Sequence, residues 1–93
     1  MVIRWTPEAL DSLKNISSQI EHDRNLATAN RVCRAIYDAI QLLRHHPLSG
    51  RVGIEEGTRE LVVARLPYIV AYRLRDSESL EILYIWHGAQ LRR

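Results

Sequence analysis

Arginine, histidine and tyrosine are the residues of this 93-residue chain whose types and spacing are capable of chemistry. Arg59 and Arg65 bracket Leu61 and Val63, Arg73 and Arg75 are two apart, and His87 stands shortly before the terminal pair Arg92-Arg93. A period of two puts such side chains on one face of a strand. Guanidinium groups grip phosphate or carboxylate in a planar, bidentate way. Tyrosine rings stack on the bases of single-stranded RNA, and an imidazole moves protons near neutral pH. Together these parts match a metal-free ribonuclease, with His87 as general acid or base and Arg59 and Arg65 on the scissile phosphate. The same residues match a solvated sheet surface that resists aggregation, with Tyr68, Tyr72 and Tyr84 filling a core and keeping their hydroxyls at its rim. They also match a protein-binding groove. On pattern alone the three readings stand side by side.

Other chemistries lack their residues. His45 and His46 are adjacent, so their side chains diverge, and no further ligands stand at metal-site spacing. Glu55-Glu56 reads as a solvated loop pair. No Gly-x-Ser-x-Gly elbow is present. Gly50, Gly53 and Gly57 follow a helix rather than a strand and lack the Lys-Ser or Lys-Thr of a phosphate loop. No cofactor motif is found. Cys33, the one cysteine, has no partner for an internal disulfide and falls in an apolar helical stripe. Among the 13 basic residues, 12 are arginine and one is Lys14, for a net charge of +2 and a pI of about 9.0. The excess of arginine over lysine points to an acidic partner, and a GC-rich coding sequence produces the same bias.

Elements that position these residues follow from periodicity. Val2 to Trp5 reads as a short strand. Thr6-Pro7 is an N-cap followed by the proline that a first helical turn tolerates. A helix is expected from Pro7 to about Glu21, with Ala9, Leu13, Ile16 and Ile20 on one face. A second runs from about Leu26 to Arg44, with Ala29, Val32, Cys33, Ile36, Ile40 and Leu43 as its stripe. Two such helices with a short link make an αα-hairpin. After the Pro47 to Gly57 loop come three strands, Thr58 to Arg65, Tyr68 to Arg75 and Leu80 to His87, joined by short turns as an antiparallel meander. Plain alternation puts Leu80, Ile82, Tyr84 and Trp86 on one face of the last strand, opposite Glu81, Leu83, Ile85 and His87. The expected class is therefore α+β, with the first strand and the meander completing a four-stranded sheet in one domain over residues 1–93. With 46% hydrophobic residues the chain has the means for one modest core. Its apolar runs are too short for a membrane span, its start has no signal-peptide core, and a reducing, cytoplasmic compartment is expected.

The order of these elements carries a resemblance. Trp5-Thr6-Pro7-Glu8-Ala9, Pro47-Leu48-Ser49-Gly50-Arg51, Arg59-Glu60-Leu61, Pro67-Tyr68-Ile69-Val70-Ala71-Tyr72-Arg73 and Trp86-His87-Gly88-Ala89-Gln90 follow one another as in the RelE/ParE superfamily of bacterial toxins. The resemblance implies a small toxin of a type II toxin–antitoxin system, neutralised by a cognate antitoxin. An antitoxin helix and extended tail would cover the helical hairpin and the exposed sheet, both available modes of recognition, and an acidic tail would suit the arginine excess. The RelE-like branch cuts messenger RNA on the ribosome, and the ParE-like branch inhibits DNA gyrase. The nuclease branch keeps an arginine where this chain has Ile69 and a second basic residue where it has Ile85. His87 stands where some ribosome-dependent members keep a catalytic histidine. These departures, with the Pro-Leu-Ser-Gly-Arg loop, bring the resemblance closer to the ParE-like branch. The implied action is interference by binding rather than catalysis, with Arg59, Arg65, Arg73, His87, Arg92 and Arg93 as target contacts. The alternatives are a ribosome-dependent messenger RNA endonuclease using His87, Arg59 and Arg65, and a non-toxic interaction module of the same fold.

Overall fold

The computed structural model describes residues 1–90, so Arg92 and Arg93 lie outside the described residues. Strand β1 (Val2–Trp5) leads into α1 (Pro7–Asp23), which continues two residues past the expected end. Thr6 has extended backbone, and its Oγ1 accepts the N–H of Ala9 at 3.1 Å, with Pro7 in the first helical turn. The cap satisfies a donor that every helix start leaves open. Asn25 repeats the device for α2 (Leu26–Gln41), accepting the N–H of Thr28 at 2.7 Å. The last turn, Leu42–Arg44, tightens to a 3-10 helix before Pro47.

The sheet has five strands rather than the expected four, in the order β1-β5-β4-β3-β2. The added strand is β2 (Arg51–Val52), which pairs antiparallel with β3 (Arg59–Val62). Two residues are too few to show alternation in a sequence. What holds them is tertiary: Arg51 Nε and Nη2 donate to Glu60 Oε1 at 3.1 and 3.0 Å. The meander of β3, β4 (Tyr68–Leu74) and β5 (Ser79–His87) is antiparallel, as expected. β1 lies parallel along β5, so the first and last strands of the chain are neighbours.

Two expectations about strand faces are corrected. β3 stops at Val62, and Arg65 occupies the left-handed region, φ 65°, in the turn beyond it. Arg59 and Arg65 therefore do not share a strand face. In β5, Ala71 faces Tyr84 while Tyr72 faces Ile82, which leaves Leu83 as the extra residue of a bulge. One extra residue reverses the alternation beyond it. Leu80 and Ile82 thus share a face with Ile85 and His87, and Glu81, Tyr84 and Trp86 share the other. The Thr6 hydroxyl lies 2.8 Å from Ile82 O and 3.0 Å from Leu83 O, so the residue that caps α1 also fastens the bulge.

Both helices cover one side of the sheet. Ala9, Val32, Ile36, Ile40 and Leu43 bury against Val63, Val70, Tyr72, Leu80, Ile82 and Ile85 in one cluster. Because register fixes the opposite side, Glu60, Ala71 and Tyr84 form a cross-strand row there, flanked by Val62, Ile69 and Trp86 on one side and by Arg73, Glu81 and Arg4 on the other.

Candidate functional site

The sequence-predicted residues separate into four places. Arg59, at the start of β3, turns back on the loop after α2. Its Nη1 donates to Gly50 O at 2.8 Å and to Leu48 O at 3.3 Å. Tyr72, fully buried, completes this clasp: its hydroxyl donates to Pro47 O at 2.8 Å and accepts the N–H of Gly50 at 2.9 Å. A Cβ on Gly50 would stand 2.7 Å from the Tyr72 ring, so glycine is required there by close approach. Burial pushes the Tyr72 phenol above its ordinary pKa, against the opposing pull of the Gly50 N–H and the Arg59 charge. The Pro-Leu-Ser-Gly-Arg motif is thus a loop held by a core tyrosine and an arginine. The reading of Tyr72 as a core residue with its hydroxyl at the rim is the one realised.

Arg73 sits on the helix-free face. Its Nε donates to Glu81 Oε1 at 2.8 Å, and Arg75 Nε stands 3.8 Å from Oε2 of the same carboxylate. Arg4 is the register partner of Glu81 from the other side. Two arginines thus share one carboxylate, near a turn where the N–H of Glu78 and the hydroxyl of Ser79 hold the Asp76 carboxyl below its ordinary pKa.

His87 lies on the helix side of the sheet, at the end of β5, in a cleft of about 310 Å³ between α1 and the sheet. Ser12, Asn15 and Gln19 of α1 line it opposite Tyr68, His87 and Gln90. The imidazole stands edge-on to Tyr68, with ring centroids 5.4 Å apart at 82°. Burial raises the Tyr68 phenol, and the neighbouring Cys33 thiol adds to the shift. His87 Nδ1 accepts the N–H of Ala89 at 3.0 Å, its own N–H donates to Gln90 Oε1 at 3.0 Å, and Gln90 N–H returns to His87 O at 2.9 Å. With Nδ1 engaged as acceptor, the neutral ring carries its proton on Nε2. It therefore offers the cleft a donor, and opening the terminal turn is required before Nδ1 becomes free as a base.

The structure does not bring the proposed nuclease parts together. Among the described residues, no arginine or lysine lines the His87 cleft. Arg59 is registered with Tyr72, four residues along β4 from the Tyr68 that pairs with His87, or roughly 13 Å at strand rise. Arg65, exposed in the β3–β4 turn, is nearer that end of the sheet yet is not part of the cleft. Sequence reading marked only the apolar face of α1 and missed its polar edge of Ser12, Asn15 and Gln19. Their spacing of three and four residues alongside the apolar stripe was the available signal. Among the described residues, no three His, Cys, Asp or Glu side chains gather as a metal site, and no helix is long and apolar enough to cross a membrane.

Known proteins match this arrangement over nearly its full length. The family model described as the ParE toxin of the type II toxin–antitoxin system parDE matches residues 3–92. The chain is 46% identical over 88 residues to Y4kP, named as a candidate toxin, of Sinorhizobium fredii (strain NBRC 101917 / NGR234), covering 95% of this chain and 88% of that one. A solved structure titled as the chromosomal ParDE TA system from P. aeruginosa superposes with a TM-score of 0.84 over 94% of this chain and 95% of that one, at 22% identity, a likeness of fold. The expected superfamily and its ParE-like branch are both met, with a sheet one strand larger than expected. By sequence over residues 3–92, this chain belongs to the ParE toxin family of type II toxin–antitoxin systems.

Proposed function

We propose that the chain arrests growth by binding DNA gyrase and that a cognate antitoxin neutralises it in the cytoplasm. The observation that carries this reading is the full-length family match over residues 3–92, which engages every element rather than one motif. The site geometry supports binding over catalysis. His87 has its accepting nitrogen engaged by Ala89 and no cationic side chain in its cleft among the described residues. Ile69, where the nuclease branch keeps an arginine, is an apolar side chain on the helix-free face, registered with Trp86. A ribonuclease built on these parts would lack the charge that stabilises a pentavalent phosphate, a deficit worth roughly 3–4 kcal/mol per missing donor. The target contacts of this reading are Arg65, Arg73 and His87, with Arg92 and Arg93. Arg59 takes part through the loop it braces.

Expression of the chain alone from a tight promoter, with DNA and protein synthesis pulse-labelled together, tests the reading. DNA synthesis is expected to fall first, and the purified chain is expected to inhibit supercoiling by gyrase. His87→Ala, which removes one target contact, is expected to weaken the arrest and the gyrase inhibition together, with message left intact. Translation falling first, with cleaved message and loss of both effects in His87→Ala, would establish the ribonuclease instead. Soluble protein with no arrest would leave only the interaction module.

A further inference from the structure

Charge is segregated between the two helices. α1 carries Glu8, Asp11, Glu21 and Asp23 against Lys14 alone. From the interhelix link to the end of the 3-10 turn the order is reversed: Arg24, Arg31, Arg34 and Arg44 stand against Asp38 alone. That surplus of three exceeds the +2 of the whole chain. All four arginines are exposed. At 100° per residue, Arg31 and Arg34 fall on the arc of α2 away from buried Val32, Ile36 and Ile40. Tyr37, 45% exposed, stands one turn after Arg34, and exposed Arg44 ends the 3-10 turn that follows α2.

Two of these guanidiniums are already oriented. Arg34 Nε donates to Asp38 Oδ1 at 3.1 Å and Arg44 Nε to Gln41 Oε1 at 2.8 Å. Both contacts use Nε, which leaves the Nη groups without hydrogen bonds among the described residues. The row from Arg31 to Arg44 spans about 20 Å along the helix axis, long enough to meet several phosphates of a duplex. From Arg31 to Arg44 the exposed side chains are Arg31, Arg34, Tyr37, Asp38, Leu42 and Arg44, with Leu42 the one aliphatic among them. A peptide helix docks through an apolar seam of several anchors, and a single leucine does not make one. A polyanion that binds by releasing counterions needs only the charge.

We propose that the exposed side of α2 and of the 3-10 turn after it binds the phosphate backbone of double-stranded DNA, with Arg31, Arg34 and Arg44 as phosphate contacts and Tyr37 against the sugar-phosphate edge. This surface is separate from the Arg73 face and from the His87 cleft. Its test needs no gyrase, so its outcome is independent of the proposed target.

The test is fluorescence anisotropy of a labelled 20-bp duplex titrated with the purified chain. Three phosphate contacts predict a loss of about 40-fold in affinity between 50 and 200 mM NaCl. Replacing Arg31, Arg34 and Arg44 together by Ser is expected to weaken binding at 50 mM salt by about 10-fold or more and to flatten the salt dependence. The corresponding Lys variant, which keeps the charge, is expected to stay within about 3-fold of the parent. Should the Ser variant fail to fold by circular dichroism, Arg31→Ser and Arg44→Ser singly, each expected to lose about 3-fold, decide the matter. Absence of binding at 50 mM salt, or binding unchanged in the folded Ser variant or in both single variants, overturns the proposal. So does displacement of the duplex by a glutamate-rich peptide of equal charge at lower concentration than unlabelled duplex, which would assign the face to an acidic protein.

Discussion

Tyr72 shows how one side chain serves both packing and polar satisfaction. Its ring lies in the core while its hydroxyl bridges Pro47 O and the N–H of Gly50. Tyr72→Phe keeps the ring and leaves both backbone groups without this partner, a cost of about 1–3 kcal/mol. A melting temperature several degrees lower by differential scanning calorimetry is the expected outcome. The residue also titrates. Burial holds its pKa above the ordinary 10.0 in the folded state. The folded chain therefore retains this proton more strongly than the unfolded one. The associated stability is fully present below pH 10 and is lost as pH rises through the folded value. Tyr68 is shifted in the same direction, so the alkaline slope of stability in Tyr72→Phe is expected to shrink rather than vanish. An unchanged slope between pH 9 and 11 would mean that Tyr72 does not carry it.

Elements meet at the bulge in β5. Leu83 is the residue that lets Leu80 and Ile82 face the helices together with Ile85 and His87. Deleting Leu83 closes the bulge while Leu80, Ile82, Ile85 and His87 keep one face and Glu81, Tyr84 and Trp86 the other, because Ile82 and Tyr84 already face the adjacent residues Tyr72 and Ala71. What is lost is the Leu83 carbonyl that the Thr6 hydroxyl contacts, a cost of about 1 kcal/mol. A cooperative melt at a slightly lower temperature by calorimetry is the expected result. Loss of the cooperative transition would show that the bulge itself holds the strand in register. The junction at Thr6 belongs to the same device, since its side chain caps α1 and contacts the bulge carbonyls. First strand, first helix and last strand thus meet at one hydroxyl.

The whole molecule divides its surface by chemistry. One side of the sheet lies beneath the helices, and the other joins an aromatic and aliphatic area around Ile69, Tyr84 and Trp86 to the arginines around Glu81. Arg73 is half-exposed and its pair with Glu81 is of the kind that contributes at most about 1 kcal/mol. Replacing Arg73, Arg92 and Arg93 together by Ala is therefore expected to keep the melt within about 1 kcal/mol of the parent while abolishing growth arrest. Full arrest by the folded variant would remove these three residues from the target contact.

Much of this protein was legible in its sequence because the relevant physics is local. The Thr6-Pro7 cap, the stripe of α2 and the alternation of β4 each announce themselves within a few residues, and the order of elements led to the right family. The charge surplus and the arginine bias were also plain, but not their place. Tertiary structure decided everything that depends on a distant partner. β2 exists through its pairing with β3. The bulge at Leu83 is visible only as a mismatch between two strands. Arg59 looked like a phosphate contact and is engaged with the carbonyls of Leu48 and Gly50. His87 and Arg65 approach one end of the sheet without forming one site. Local propensity sets what a segment becomes; register and packing set which side chains meet, and function depends on the meeting.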